Sequence, residues 1–255
     1  MNGMHRPIRI ACANVISRLD DIEYNMRVMK QAMREAVNNE ADLILFGEAF
    51  LQGFEAMRFV YKEDVQKALF QTGVEITKVR QWAKESNLAV GFGYYESKAG
   101  GLYSSYMFID EKGAILNNYR RVSRGWKKSH ANPDYREGRT FQNFTWRNLR
   151  MTPLVCGDFW EDELITTIAA CDPVTDLFLW PVHCDYPEDK WDNEERKAYR
   201  ERSQILEKPI LFYNNYIDEK NRAQGGTYLW RQGKELFSQA YGVSKIAYLT
   251  FTPEP

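Results

Sequence analysis

The sequence predicts an α/β protein built as an α-β-β-α sandwich, in which two sheets face each other and helices cover their outer faces. Three observations support this prediction. Short apolar segments alternate with helix-like segments at the start of the chain, a group of strand-like segments follows, and a second alternation ends in a hairpin pattern. Alternating strands and helices favour sheets covered by helices. No linker or repeat interrupts the 255 residues, so we predict one domain spanning residues 1–255.

The first part of the chain supplies two strands and two helices. Residues 8–15 are predicted to form a strand, and Asp20 or Asp21 can cap the helix that follows, whose apolar residues recur at helical spacing. Residues 43–46 are wholly apolar, as expected of a strand covered on both faces. A second helix is predicted over residues 64–84. The buried second strand leads directly to Gly47 and Glu48.

Consecutive strands follow, and a long polar segment separates them from the rest. Strands are predicted at 88–94, 103–109 and 114–119, and residues 120–138 have no clear period. A loop of that length in a compact domain is usually functional or disordered. The other predicted elements are a strand ending near Cys156, a helix at 161–171, a strand at 176–180, a charged helix at 188–206, a strand at 210–213, a hairpin of 227–230 with 235–240, and a last strand at 246–251.

Charge and cysteine content exclude several classes of protein. The formal net charge is −1 and no long run of one sign occurs, so we expect neither a nucleic acid nor a membrane as partner. Four cysteines without a CxxC pair favour the reduced cytoplasm, and we expect neither a signal peptide nor a membrane-spanning segment. The three histidines lack zinc-site spacing, so we expect no metal.

Cys156 is the candidate nucleophile. An apolar run ends on it, and the chain turns through Gly157 and Asp158 toward a predicted helix. Backbone N–H groups at a strand-to-helix corner favour negative charge, so this position predicts a lowered thiol pKa. The alternative is a buried strand cysteine that only fills space.

Four segments together resemble a known family. They are FGEAF at 46–50, GAILNNYRR at 113–121, CGDFW at 156–160, and GGT at 225–227 followed by Gly233. In this order they resemble motifs of the nitrilase, or carbon–nitrogen hydrolase, superfamily, and CGDFW is similar to the variant in glutaminase domains of NAD synthetases. The resemblance covers nearly the whole chain. It implies the α-β-β-α sandwich, usually dimerised into a larger assembly.

The resemblance also implies a mechanism. Members of the superfamily hydrolyse amides, nitriles, carbamoyl amines or glutamine with a Glu-Lys-Cys triad, and we expect no cofactor. Carried onto this chain, Cys156 would attack the carbonyl carbon to form a thioester, and Glu48 would act as general base. The backbone N–H of Gly157 would help to bind the oxyanion. For Glu48, the alternative is a capping or surface residue.

This sequence departs from the family at the lysine, whose position is occupied by Arg121. An arginine keeps the positive charge and could stabilise a thiolate or an oxyanion, but it cannot release a proton. Lys127 or Lys128 of the same loop could restore the ammonium, and solvent exposure is the alternative for each.

The family's supporting glutamate falls near Ala131, while Glu137 lies close but out of register. The aromatic residues around the nucleophile are candidates for the substrate pocket, although such residues often belong to the core, and a histidine there can be purely structural. These pocket candidates are Phe159, Trp160, His183 and Tyr186.

The leading interpretation is an amidase-like carbon–nitrogen hydrolase that cleaves a small amide or related substrate through a cysteine thioester. We expect it to be a cytoplasmic homodimer or higher homo-oligomer. Two alternatives stay open. A degenerate member would bind a small ligand or a partner without hydrolysis, and an acyltransferase would pass the acyl group to an amine or thiol.

Overall fold

Apolar strands assemble into two six-stranded sheets in the computed structural model, which describes residues 6–253. The first sheet has the order β12-β1-β2-β3-β4-β5, and the second has the order β11-β10-β9-β8-β7-β6. In the first sheet the strands are β1 Ile8–Asn14, β2 Leu43–Leu45, β3 Ala89–Lys98, β4 Gly101–Ile109, β5 Ile115–Arg120 and β12 Lys245–Phe251. In the second they are β6 Phe144–Trp146, β7 Leu149–Pro153, β8 Leu177–Val182, β9 Ile210–Asn214, β10 Gly225–Arg231 and β11 Lys234–Tyr241.

Each sheet has parallel strands at its centre. In the first sheet β2 runs parallel to both β1 and β3, and in the second β8 runs parallel to both β7 and β9. These central strands are buried, as is usual for parallel strands covered on both faces. The loops that follow parallel strands are where ligand sites commonly form.

Helices lie outside both sheets. The described helices are α1 Ile22–Asn38, α2 Tyr61–Asp64, α3 Val74–Ser86, α4 Asp162–Ala169, α5 Glu188–Lys190 and, after a π-helical segment Trp191–Glu195, α6 Arg196–Arg202. Asp21 caps α1, because its Oδ1 accepts the N–H of Tyr24 at 2.9 Å. None of the helices within residues 6–253 combines the length and the apolar character needed to cross a membrane.

Three apolar layers hold the elements together. Residues such as Ile10, Leu179 and Leu211 fill the space between the two sheets. Met29 of α1 and Val79 of α3 pack on the outer face of the first sheet, and Trp191 and its neighbours pack on the second. The α-β-β-α sandwich predicted from the sequence is therefore confirmed.

Two local predictions were wrong. A single helix was expected over 64–84. In the structure α2 ends at Asp64 and α3 begins only at Val74, so the residues between them are not helical. Between them Leu69 exchanges backbone hydrogen bonds with β3: its N–H donates to Tyr95 O, and its carbonyl accepts from Ser97 N–H, both at 2.9 Å. β6 was also missed, since three residues are too few to show an alternating pattern.

Candidate active site

The site lies where loops from the two sheets meet. Glu48 follows β2 of the first sheet, Arg121 follows β5 of the same sheet, and Cys156 follows β7 of the second sheet. Arg121 contacts Glu48 directly, and its charge also acts on the thiol of Cys156. Residues far apart in the chain are thus brought together at one point between the sheets.

Glu48 is fully buried and held by one of its two carboxylate oxygens. Its Oε1 accepts from Arg121 Nη1 at 2.8 Å and from the Ser104 hydroxyl at 3.2 Å. Its Oε2 is buried and has no well-aligned hydrogen bond within residues 6–253. One oxygen is therefore anchored, and the other is available to take or give a proton.

Cys156 begins a 3₁₀ turn, Cys156–Phe159, which we call the nucleophile turn. Its φ is +47°, in the left-handed region that residues with a side chain rarely adopt. The thiol lies 3.8 Å from the carbonyl oxygen of His183, and Trp180 Nε1 donates to the Cys156 carbonyl at 2.9 Å. These contacts hold the strained backbone in place.

The sequence-based prediction of a lowered thiol pKa was wrong. Burial and, to a smaller extent, the negative charge of Glu48 together raise the pKa of Cys156 to about 12. The charge of Arg121 acts in the opposite direction but does not overcome them. Since the thiol is protonated at neutral pH, attack on a substrate requires a base in contact with it. Glu48 is placed to be that base.

The guanidinium of Arg121 makes contacts at each of its nitrogens. Nε donates to Ser123 Oγ at 2.7 Å, Nη1 donates to Glu48, and Nη2 occupies the space where Gly157 would carry a side chain. Burial alone would lower the pKa of Arg121, but the negative charge of Glu48 and its hydrogen bond with the guanidinium hold that pKa above its usual value. The site therefore contains a permanent cation.

Gly157, whose backbone N–H is predicted to help bind the oxyanion, also leaves space for Arg121. In the structure, a Cβ at Gly157 would overlap Arg121 Nη2, and a Cβ at Gly125 would lie 3.0 Å from the same atom. Both glycines therefore leave room for the guanidinium.

Asp158 connects the nucleophile turn to the loop that carries Arg121. Its carboxylate is fully buried. It accepts four hydrogen bonds, three from the segment around Arg121 and one from the residue that precedes the nucleophile turn. The donors are the Tyr119 hydroxyl at 2.6 Å and the backbone N–H groups of Val122, Ser123 and Val155 at 2.9, 2.7 and 2.9 Å. This carboxylate fixes the separation between Arg121 and Cys156.

Sequence reasoning missed Ser104, Ser123 and Asn215. The Asn215 amide donates to the backbone carbonyl of Glu48 at 2.6 Å and lies 3.2 Å from His183 Nδ1. Asn215 directly follows the buried strand β9, and Glu48 lies just beyond β2. A polar residue after a buried strand was therefore a signal that could have identified Asn215, whereas no such pattern marks the two serines.

The loop lysines are engaged elsewhere. Lys127 Nζ lies 2.5 Å from Glu137 Oε1 and donates to the carbonyl of Tyr135 at 2.6 Å. Lys128 Nζ lies 5.9 Å from the centre of the Phe59 ring. The alternative in which Lys127 or Lys128 restores the ammonium is not what the structure shows, because the cation that pairs with Glu48 is Arg121. Glu137 pairs with Lys127.

Ala131, the position expected for the family's supporting glutamate, packs against an apolar cluster that includes Ala49 and Trp126. No carboxylate therefore comes from that position, and Glu48 is the carboxylate that contacts the guanidinium.

Of the predicted pocket residues, Phe159 belongs to the core and Trp160 lies at the surface. Phe159 is fully buried and packs edge-on against Trp180, with 5.0 Å between ring centres. Trp160 is 36% exposed and packs against Tyr199 at 4.8 Å. Phe159 lies in the apolar layer on the outer face of the second sheet. For Phe159, the alternative of core packing was the correct one.

Tyr186 and His183 lie on the loop after β8. Tyr186 packs 6.1 Å from Trp191, so it too contacts the outer layer. The ring of His183 stacks on Phe54 with 4.9 Å between centres, its Nε2 lies 3.3 Å from Asp185 Oδ1, and it borders a cavity of about 480 Å³. Of the four aromatic candidates, His183 is the one whose backbone contacts the Cys156 thiol.

Within residues 6–253, no three histidine, cysteine, aspartate or glutamate side chains are grouped so as to hold a metal ion.

Comparison with known proteins gives a match over most of the chain. A family model described as carbon-nitrogen hydrolase matches residues 9–244. An (R)-stereoselective amidase from Pseudomonas sp. is 25% identical over 151 residues, which are 59% of this chain and 52% of that protein. A bromoxynil-specific nitrilase from Klebsiella pneumoniae subsp. ozaenae is 36% identical over 92 residues, 32% of this chain and 26% of that one. The chain spans about half the length of these curated relatives or less.

Solved structures share the fold at low sequence identity. An amidase from Nesterenkonia sp. superposes with a TM-score of 0.77 at 18% identity, covering 99% of this chain and 92% of that one. A mutant of an amidase from Nesterenkonia sp. AN1, with a TM-score of 0.74 at 17% identity, is described with the acetamide moiety of fluoroacetamide added covalently at its active-site cysteine. A glutamine-dependent NAD⁺ synthetase from Acinetobacter baumannii has a TM-score of 0.79 at 16% identity, covering 96% of this chain and 46% of that one.

Proposed function

The chain belongs to the carbon–nitrogen hydrolase family, and from this premise we propose that it hydrolyses the C–N bond of a small amide through a thioester on Cys156. The observation that carries the proposal is the placement of Glu48. Its carboxylate is buried beside the Cys156 thiol, with Oε1 bound to Arg121 and Oε2 without a well-aligned hydrogen bond. A carboxylate in this position can take the proton that a nucleophilic attack releases.

The first half of the proposed reaction forms the thioester. Glu48 accepts the thiol proton while Sγ attacks the carbonyl carbon, because a thiol whose pKa is raised to about 12 does not ionise beforehand. Arg121 and the backbone N–H of Gly157 stabilise the negative oxygen of the tetrahedral intermediate. Glu48 then donates its proton to the nitrogen as the C–N bond breaks, and ammonia or an amine leaves.

The second half releases the acid. Water attacks the thioester carbon while Glu48 accepts one of its protons, and the same cation stabilises the second tetrahedral intermediate. The proton returns to sulfur when the C–S bond breaks. Arg121 stays protonated throughout, since its pKa is held above an already high value. Every proton transfer in the cycle therefore passes through Glu48.

The degenerate alternative has specific support. Arginine occupies the family's lysine position, and Ala131 occupies the position of its supporting glutamate. Loss of one charge-stabilising donor commonly lowers kcat by about 10²–10³, so a slow enzyme is still expected to turn over. We favour the hydrolase because Glu48, Arg121 and Cys156 are in mutual contact or close to it.

Covalent trapping tests the proposal. The protein is incubated with fluoroacetamide and with a panel of short aliphatic amides, and intact mass and ammonia release are measured. We expect an acyl adduct on Cys156 and release of ammonia, and neither with Cys156→Ala, whose melting temperature should stay close to that of the wild type. Ammonia release that persists in Cys156→Ala would disprove the assigned nucleophile. Absence of both adduct and ammonia in the wild type would favour the degenerate alternative.

Hydroxylamine distinguishes hydrolysis from acyl transfer. A hydrolase in the presence of hydroxylamine still forms mainly the free acid at low acceptor concentration, whereas a transferase requires the acceptor for turnover. We also propose a homodimer or higher homo-oligomer as the working state, which light scattering at several protein concentrations tests directly.

A further inference from the structure

Ser123 has an unusual position, because its hydroxyl contacts Arg121, which occupies the family's lysine position. Ser123 Oγ accepts the Nε–H of Arg121 at 2.7 Å. Ser123 is fully buried and Arg121 is 3% exposed, so no bulk water competes for this hydrogen bond. A buried guanidinium N–H without an acceptor would be strongly unfavourable.

The geometry of the guanidinium gives this contact a directional consequence. A guanidinium is planar, and its N–H groups point in fixed directions. Glu48 holds Nη1 at 2.8 Å, and Ser123 holds Nε at 2.7 Å. Because the group is rigid and planar, holding two of its nitrogens also determines the position of the third. Nη2 is thereby directed at Gly157 of the nucleophile turn.

Ser123 is itself fixed relative to Cys156. Its backbone N–H donates to Asp158 Oδ1 at 2.7 Å, and Asp158 belongs to the nucleophile turn. Ser123 therefore connects the orientation of Arg121 to the position of the thiol through two short hydrogen bonds, one at its hydroxyl and one at its backbone N–H. A lysine in place of Arg121 would have no Nε to use this acceptor.

We propose that Ser123 is a positioning residue for the reaction: it sets the rotation of the Arg121 guanidinium so that Nη2 faces the oxygen of the tetrahedral intermediate on Cys156. This inference rests on the proposed hydrolysis and goes beyond it. The contribution of Ser123 is needed only when the oxyanion is present, so it acts on the transition state more than on the bound amide.

Kinetics of Ser123→Ala test the proposal. Without the acceptor the guanidinium is free to rotate away, so kcat should fall by about 10- to 100-fold while KM changes by less than about threefold. Ser203→Ala is the matched control, because Ser203 is also fully buried and hydrogen-bonded but lies beside Arg200 and Gly233 instead of the site. The control should keep kcat within about twofold of the wild type.

Two conservative variants separate positioning from packing. Ser123→Thr keeps the hydroxyl and should retain most of kcat, whereas Ser123→Cys offers only a weak acceptor and should be slower. If Ser123→Ala does not fold, these two variants decide: threonine faster than cysteine supports the proposal, and equal kcat overturns it. Unchanged kcat in Ser123→Ala, or a fall confined to KM, also overturns it.

Failure of the inference is distinguishable from failure of the proposed function. Ammonia release by the wild type from the amide panel is measured first, and its absence would defeat the proposed hydrolysis. A wild type that releases ammonia together with an equally active, folded Ser123→Ala would defeat only the role of Ser123.

Discussion

At Cys156, burial and a neighbouring carboxylate both oppose ionisation of the thiol. A cysteine nucleophile is activated either by a lowered pKa or by a base in contact with it. Because the pKa of Cys156 is raised, the mechanism that we propose is of the second kind, in which the proton leaves only as the bond to carbon forms. The effect of the Glu48 charge on the thiol pKa can therefore be tested separately from the proposed role of Glu48 as a base.

Glu48→Gln should have opposite effects on ionisation and on turnover. Removing the negative charge removes one cause of the raised pKa, so the pKa of Cys156 should fall below about 12. Removing the base should lower kcat by about 10²–10⁴. The pH dependence of iodoacetamide alkylation at Cys156, followed by peptide mass, measures the first effect, and ammonia release measures the second.

Cys156→Ala is the control that identifies the labelled peptide, since Cys171 is also partly accessible. A Glu48→Gln protein that alkylates no faster than the wild type at pH 9 would contradict the electrostatic account. Retained turnover would contradict the assignment of Glu48 as base.

Arg121→Lys tests whether the site is built around a guanidinium. The sequence alone left open whether lysine, the family residue, would preserve activity. In the structure, Ser123 accepts from Nε and Gly157 leaves space for Nη2, so we expect lysine to lower kcat by about tenfold or more. Steady-state kinetics on the best amide of the panel measures the effect.

Arg120→Lys is the matched control for Arg121→Lys. Arg120 is the adjacent arginine and pairs with Glu96 through two hydrogen bonds of 2.8 Å, outside the site. The Arg120→Lys variant should be less stable than the wild type but should keep the wild-type kcat. Activity of Arg121→Lys equal to or above that of the wild type would show that the guanidinium is replaceable by the family's ammonium.

At the scale of elements, the site depends on the contact between the loop after β5 and the nucleophile turn. The Asp158 carboxylate accepts four hydrogen bonds in that contact, and three of them come from backbone N–H groups. Hydrogen bonds to a charged group typically contribute more than those between neutral groups. The relative position of the two loops is therefore set by one side chain.

Asp158→Asn should lower the free energy of unfolding by about 2–3 kcal/mol, because the amide NH₂ cannot accept and leaves at least one buried donor without a partner. Urea denaturation measures this change. Asp134→Asn is the control, since Asp134 is partly exposed on the same long loop and its change should stay within about 0.5 kcal/mol. Equal stability of the two variants would mean that Asp158 does not organise the contact.

At the scale of the whole molecule, a buried polar network joins the two sheets. Asn14 at the end of β1 is fully buried and contacts three strands of the second sheet. Its Nδ2 donates to Asn214 O at 2.9 Å, and its Oδ1 accepts from Thr227 Oγ1 at 3.0 Å and from Gln239 Nε2 at 2.8 Å. Such a network is favourable only when every member is satisfied.

Asn14→Ala should therefore lower the free energy of unfolding by about 2–4 kcal/mol, since it removes one amide and leaves buried groups of the second sheet unpaired. The measurement is again urea denaturation, with Asn132→Ala on the exposed loop as control. A loss no larger than that of the control would show that apolar packing alone positions the two sheets.

The sequence by itself determined the layered architecture and most of the strands. The apolar run at 43–46, the hairpin around Gln232–Gly233 and the capped first helix have local causes in burial, turn formation and capping. It also identified Cys156, Glu48 and Arg121 as candidates, because a reactive residue type directly follows a buried strand or occupies a motif position. Their roles in catalysis stay predictions for the experiments above.

Only the tertiary structure decided how these residues act on one another. The pKa of Cys156, the use of Gly157 as space for a guanidinium, and the contacts of Ser123 and Asn215 depend on residues distant in the chain. Desolvation and short-range hydrogen bonds are set by the distance between atoms in space, and that distance is created when the two sheets pack face to face. The apolar pattern of a strand predicts that the strand is buried. It does not predict which side chain from elsewhere in the chain will lie at the end of that strand.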